Sequence, residues 1–255
     1  MKFNSDVNGF QNEIDICKML NNKCLKDLDP MYNAFITDLY GNLCSNDLIK
    51  CKIDHDLKKY DIVISVNDIK KYVSIKKGVK NSVHVEPVFK FTNYLRTNGV
   101  KWDIIEKYLR YHFADGTTNG KGINRISVSD YKLNHQEEID MINSEINNDE
   151  LLLKSIYRFV LLGNVSDRVI DAILFGVKDD FVWIKTQDII DVILKKKDVY
   201  STSVHFGPLT VQPMDRCLNH NPKLEKYRYF VQIKWYKLAD DIIENMNNKC
   251  MNKID

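Results

Sequence analysis

Apolar and polar residues alternate in two neighbouring stretches, "DIVISV" over 61–66 and "YVSIKK" over 72–77. Alternation sends successive side chains to opposite faces, so each stretch predicts a β-strand, and the polar "NDIK" between them predicts a tight turn. Elsewhere the period is longer. Phe10, Ile14, Cys17, Met19 and Leu20 recur at helical intervals in "NGFQNEIDICKMLNNK" and predict an amphipathic N-terminal helix. "KWDIIEKYLRYHF" predicts a second helix, with Trp102, Ile105 and Leu109 on one face. "PMYNAFITDLYGN" suits either strand or helix, "DLIKCK" reads as a short element before the hairpin, and Val83, Val85 and Val88 suggest a further extended piece.

The second half is less regular. "ADGTTNGKGINRIS" holds three of the ten glycines and predicts a loop. "NHQEEIDMINSEINNDELLLKSIYRFVLLG" predicts one or two helices broken near "NND". "VIDAILFG" and "DDFVWIKTQDIIDVILKKK" mix strand and helix signals, "VYSTSVHFGPLTVQP" carries β-branched residues about a Gly-Pro turn, and "YRYFVQIKWYKL" is strand-like. Together these predict a mixed α/β (α+β) protein, with a mixed central sheet flanked by helices. Residues 1–115 are expected to form a core of helix, hairpin, strand and helix. Residues 116–255 are then the remainder of that domain or a recognition subdomain.

Composition narrows this picture only a little. The chain has 255 residues, 28% of them charged, with a formal charge of +2, so any nucleic-acid surface must be a local patch. No apolar run approaches the ~20 residues of a membrane span, and the first twenty residues lack the apolar stretch of a signal peptide. Six scattered cysteines without a C-x-x-C pair argue against a zinc site and for reduced thiols in a cytoplasmic protein.

The hairpin carries the candidate chemistry. With Asp68 and Ile69 as loop residues, Val66 lies opposite Lys71 and Asp61 opposite Lys76, with Ser74 on the same face. A carboxylate beside a lysine is what metal-assisted phosphodiester hydrolysis needs. The acid holds Mg²⁺ or Mn²⁺, and the ammonium orients water or stabilises charge on the phosphate. Each residue also has an ordinary reading: an Asp at a strand start, a lysine at a solvated strand end.

Asp61, the "SIK" of Ser74 to Lys76 and the preceding helix with Glu13 resemble the PD-(D/E)xK nuclease superfamily, to which type II restriction endonucleases belong. The match covers about the first third of the chain. It departs from the family pattern in lacking a Pro before Asp61 and in placing Ser74 where the second acid is usual. The resemblance implies a restriction-endonuclease-like core with C-terminal recognition elements. It further implies Asp61, Ser74 and Lys76 as catalytic residues, and Glu13 and Asp61 as metal ligands with Glu86 in reserve. Lys77, Lys80, Asn81 and Ser82, in the turn after the lysine, become candidates for the phosphate backbone.

Other motifs compete less well. "GTTNGKG" over 116–122 has too few residues between its glycines, and no hydroxyl after its lysine, for a P-loop. Lys121 and Arg125 are better read as a basic loop over a nucleic-acid groove. Arg216 and Arg228 lie among Tyr227, Tyr229, Trp235 and Tyr236, a mixture suited to phosphates and bases and equally to a core strand. His84, His112 and His205 are isolated. The reading is a metal-dependent endonuclease acting on double-stranded DNA, a type II restriction enzyme or related phage-defence nuclease, and a homodimer on a two-fold site. Its alternatives are a nucleic-acid-binding protein on a degenerate nuclease fold and a structural or regulatory protein whose hairpin is merely solvated.

Overall fold

The computed structural model describes residues 9–54, 56, 58–78, 81–165 and 168–251. In chain order, α1 (Gly9–Leu20), β1 (Lys23–Cys24), α2 (Pro30–Tyr40), β2 (Leu48–Ile53), β3 (Ile62–Val66) and β4 (Ile69–Lys76) come first. They are followed by β5 (Ser82–Pro87), α3 (Val88–Thr97), α4 (Trp102–Phe113), α5 (Val128–Ile146) and α6 (Asp149–Ser155). After a π-helical stretch come β6 (Ala172–Val177), β7 (Asp180–Lys185), α7 (Thr186–Lys195), β8 (His205–Phe206), β9 (Leu209–Pro213), β10 (Phe230–Lys234) and α8 (Leu238–Met251). No helix among the described residues is long and apolar enough to cross a membrane.

Contacts gather the chain into two units, one of residues 1–81, 160–192 and 237–255, the other of 82–159 and 193–236. This grouping differs from a cut at 115/116 because β6 and β7 return to the sheet that the first strands began.

The first unit holds a six-stranded mixed sheet in the order β1-β2-β3-β4-β6-β7. Among the described residues only β4 and β6 run parallel, Val73 beside Ala172 and Lys76 beside Phe175. Ile62, Ile64 and Val66 of β3, with Val73 and Ile75 of β4, bury against Ile16, Cys17 and Leu20 of α1 and Phe35, Ile36 and Leu39 of α2. Each such side chain contributes about 1.5–3 kcal/mol on burial, so this face sets the strand register. The ambiguous "PMYNAFITDLY" is a helix. Asp29 caps it through Met31 N at 3.0 Å, Pro30 supplies its first turn, and Gly41 ends it at φ +81°.

The second unit has an antiparallel sheet in the order β5-β10-β9-β8. Phe91, Tyr108, Phe159 and Phe206 fill part of its core, with Phe91–Tyr108 and Phe91–Phe159 centroids 5.1 and 5.7 Å apart. Several expectations change here. The strand at Val83 stops at Pro87, and Val88 begins α3. Within β5 the valine at 85 faces out while His84 and Glu86 are buried. Trp102 is 58% exposed and the buried face of α4 runs through Ile104, Ile105, Tyr108 and Leu109, because Trp102 sits at the very start of the helix. The strand in "YRYFVQIKWYKL" is limited to Phe230–Lys234, between a 3₁₀ turn and α8.

Candidate active site

The β3–β4 turn consists of Asn67 and Asp68, both with positive φ (48° and 65°), and Val66 pairs with Ile69. These angles belong to the mirror-image turn that matches strand twist, which Asn and Asp tolerate. The register therefore differs from the expected one by two residues. An even shift preserves faces, so Asp61, Ser74 and Lys76 still share the side opposite α1 and α2. The shift changes who meets whom. Asp61 lies beyond the ladder pair Ile62–Val73, next to Ser74, and Lys76 approaches it diagonally.

Asp61 continues the ladder with both main chain and side chain. Its amide donates to Val73 O at 3.0 Å, and its Oδ2 accepts from Ile75 N at 2.5 Å and from Ser74 Oγ at 3.1 Å. Lys76 Nζ stands 3.6 Å from the same oxygen and donates to Ile75 O at 3.0 Å. Ser74 is fully buried, whereas the Asp61 and Lys76 side chains each keep 22% of their surface. The carboxylate is thus held in one orientation, with a cation beside it and solvent in reach.

Nothing in the sequence pattern marks Lys59, yet it joins this group. Burial pushes its ammonium down to about 7; the nearby Lys76 charge adds to the effect and Asp61 opposes it. Its stem passes close to Gly163, where an added Cβ would come within 3.3 Å of Lys59 Cδ.

The remaining candidates fall elsewhere. Glu13 is half-buried on α1. The neighbouring Asn12 donates to Gly176 O at 3.0 Å, just past Phe175, the partner of Lys76. The apolar side of its helix, however, packs on the opposite face of the sheet. Glu86 belongs to the second unit's sheet, where its fully buried side chain pairs with Arg158 at 2.6 Å. Among the described residues no group of three or more His, Cys, Asp and Glu could hold a metal ion.

Lys77 is half-buried at the end of β4, Asn81 is buried, Ser82 is half-buried and Lys121 is exposed. Lys80 lies outside the described residues. The three arginines turn inward, against their expected phosphate role. Arg125 forms a bidentate pair with Glu225 at 2.8 and 2.9 Å, and Arg228, 1% exposed, bonds Asp115 at 2.8 Å and Gly120 O at 2.9 Å. Arg216 donates to the carbonyls of Tyr111 and His112. For Arg125 and Arg228 the expected exposure fails because loop 114–127 and the 3₁₀ turn before β10 pack through these side chains, and Arg216 instead packs against the end of α4.

The histidines are structural. Burial holds His112 down at about 3, Nε2 lies 2.7 Å from Arg228 O, and His205 Nδ1 contacts Gly207 O at 2.8 Å.

No protein-family model and no curated protein matches the chain. Among solved structures it is similar to restriction endonuclease MspI, crystallised in complex with its cognate DNA, with a TM-score of 0.50 and 14% sequence identity. The alignment covers 80% of this chain and 77% of that one. The fold is accordingly restriction-endonuclease-like, a mixed sheet flanked by helices, and the likeness concerns fold alone.

Proposed function

We propose that the protein is a metal-dependent DNA endonuclease hydrolysing phosphodiester bonds, with its centre at Asp61, Ser74 and Lys76. The observation that carries this reading is the meeting of those three side chains on one hairpin of a restriction-endonuclease-like sheet. The Asp61 contacts described above all fall on Oδ2, which leaves Oδ1 for a hard cation. Mg²⁺ is commonly bound through one or two carboxylates together with water and substrate phosphate, so a single fixed carboxylate fits it. When bound, the ion polarises the phosphate and acidifies a coordinated water. Glu13 of α1 is the second ligand in this reading.

Lys76 has three N–H donors, one of them given to Ile75 O. The others face solvent and Asp61, where they hold the attacking water or the charge developing on phosphate. Ser74 takes the place of a second acid. Its hydroxyl donates to Asp61 and fixes the carboxylate without adding the repulsion of another negative charge. Hydrolysis of both strands of a two-fold site further favours a homodimer.

Cleavage of plasmid DNA with and without Mg²⁺ or Mn²⁺, by the wild type, Asp61→Asn and Lys76→Met, tests this. Metal-dependent cleavage, lowered about 100-fold or more in both variants, is expected. Cleavage indifferent to both substitutions would overturn the proposal. The single carboxylate also favours a second reading, a DNA-binding protein on a decayed nuclease site. That reading predicts duplex binding without cleavage at any metal concentration.

A further inference from the structure

The sheet face that carries Asp61, Ser74 and Lys76 continues across β2, β3 and β4 as a basic surface. In β2 burial alternates, with Ile49 and Cys51 in the core and Lys50 and Lys52 exposed. Ladder pairs place Lys50 beside Ser65 and Ser65 beside Lys70, so these three form one row across the sheet. The next row is Lys52, Val63 and Tyr72, and Asp61 and Ser74 follow it. Paired residues project to the same face. Ile62, Ile64 and Val66 take the side of α1 and α2, so these rows lie on the other, with Asp61 and Lys76.

Lys50, Lys52 and Lys70 are exposed, and none has an acidic partner among the described residues. The acids that border them are engaged. Asp54 accepts from Asp56 N at 2.9 Å and pairs with Lys58 at 3.4 Å. Asp171 pairs with Lys71 at 2.9 Å and accepts from Tyr72 N at 2.8 Å. Asp68, in the turn, stands past the last ladder pair. Neighbouring cations without a counter-charge repel one another, and a polyanion laid across them removes that repulsion.

Spacing points to the kind of anion. Strands lie ~4.8 Å apart and rise ~3.3 Å per residue, so backbone positions 50 and 70 are ~10 Å apart and 50 and 52 ~7 Å. Along β4 the run from Lys70 to Lys76 covers ~20 Å. A duplex carries one phosphate per ~3.4 Å on each strand, so that run matches about six phosphates. Ser65, half-buried between two of the lysines, adds a hydroxyl donor. A small anion needs donors that converge in a concave site, whereas this array is open and extended.

We propose that Lys50, Lys52 and Lys70 form a track for the sugar-phosphate backbone of duplex DNA, leading one strand along the sheet to Asp61 and Lys76. The choice of DNA rests on the endonuclease reading; the track rests on register and charge.

Fluorescence anisotropy of a labelled duplex tests it, with the full chain, no divalent metal, and KCl varied from about 50 to 200 mM. Each lysine on a phosphate contributes about 0.9 to the slope of log affinity against log salt. Lys50→Gln, Lys52→Gln and Lys70→Gln are each expected to lower that slope by about one, and the triple variant by about two to three. Lys18→Gln, on α1 and therefore on the other side of the sheet, is expected to leave it unchanged. A triple variant that binds with the wild-type slope, or an equal loss in Lys18→Gln, would overturn the track. So would substitutions that abolish binding to anionic lipid vesicles while sparing the duplex. Asp61→Asn is expected to lose cleavage and keep the slope. Cleavage lost there while the triple variant keeps the wild-type slope sinks the track alone; a wild type that never binds duplex sinks both proposals.

Discussion

A lysine with a pKa of about 7 beside Asp61 and Lys76 makes the hairpin group sensitive to pH in the neutral range. Lys59 carries its charge below that value and loses it above. A DNA phosphate stabilises the charged form, so binding should take up a proton near neutrality. Duplex affinity is therefore expected to weaken as pH rises from about 6 to 8, through the Lys59 pKa. Lys59→Arg stays charged throughout and should flatten the profile. Fluorescence anisotropy over that range checks both, and a wild-type profile already flat would remove Lys59 from the site. At this scale Ser74 also acquires a reason. Its hydroxyl is fully buried against the carboxylate it orients, a place where a second ionised acid would have to be desolvated beside the first.

At the scale of the element, the turn decides the site's geometry. Alternation alone fixes which residues share a face but permits any even shift of register. The two residues that adopt positive φ, Asn67 and Asp68, select the pairing of Val66 with Ile69 and so bring Asp61 to Ser74. Asn-Gly is the preferred pair for this turn. Asp68→Gly is accordingly expected to stabilise the protein by about 0.5–1 kcal/mol, read as a higher urea midpoint with unchanged slope. An unchanged or lower midpoint would contradict the turn assignment. Strand β5 shows the opposite case, since its outward Val85 and inward His84 and Glu86 invert the usual pattern. The buried Glu86 is explained by Arg158, 72 residues away in the chain, and no local pattern reports such a partner.

At the scale of the whole molecule, buried ion pairs tie distant segments together. Arg228 links Asp115, Gly120 and Glu225, and Glu225 in turn holds Arg125. Burial alone would raise the Asp115 pKa. Hydrogen bonds from Thr117 and Arg228 outweigh it and hold the carboxyl below its ordinary value. A depressed folded-state pKa gives stability that is present above the unfolded value near ~3.9 and lost as pH falls through the folded one. Arg228→Met leaves Asp115 buried without its cation and should cost about 3–5 kcal/mol, with acid unfolding moved to higher pH. Urea titrations at neutral and acidic pH measure this, and a change below about 1 kcal/mol would show the network to be dispensable.

By itself, the sequence determined the period of its elements, and with it the hairpin, the N-terminal helix, the mixed α/β class and the common face of Asp61, Ser74 and Lys76. These follow from local rules, 2.0 residues per repeat in a strand and 3.6 in a helix. The turn at Asn67 and Asp68 decided the register that joins Asp61 to Ser74, and tertiary structure decided the parallel pairing of β4 with β6 and the inward turn of Arg125, Arg216 and Arg228. Each depends on groups far apart in the chain. A charge written in sequence has no direction until the fold sets the cost of burying it and supplies the partner that offsets that cost.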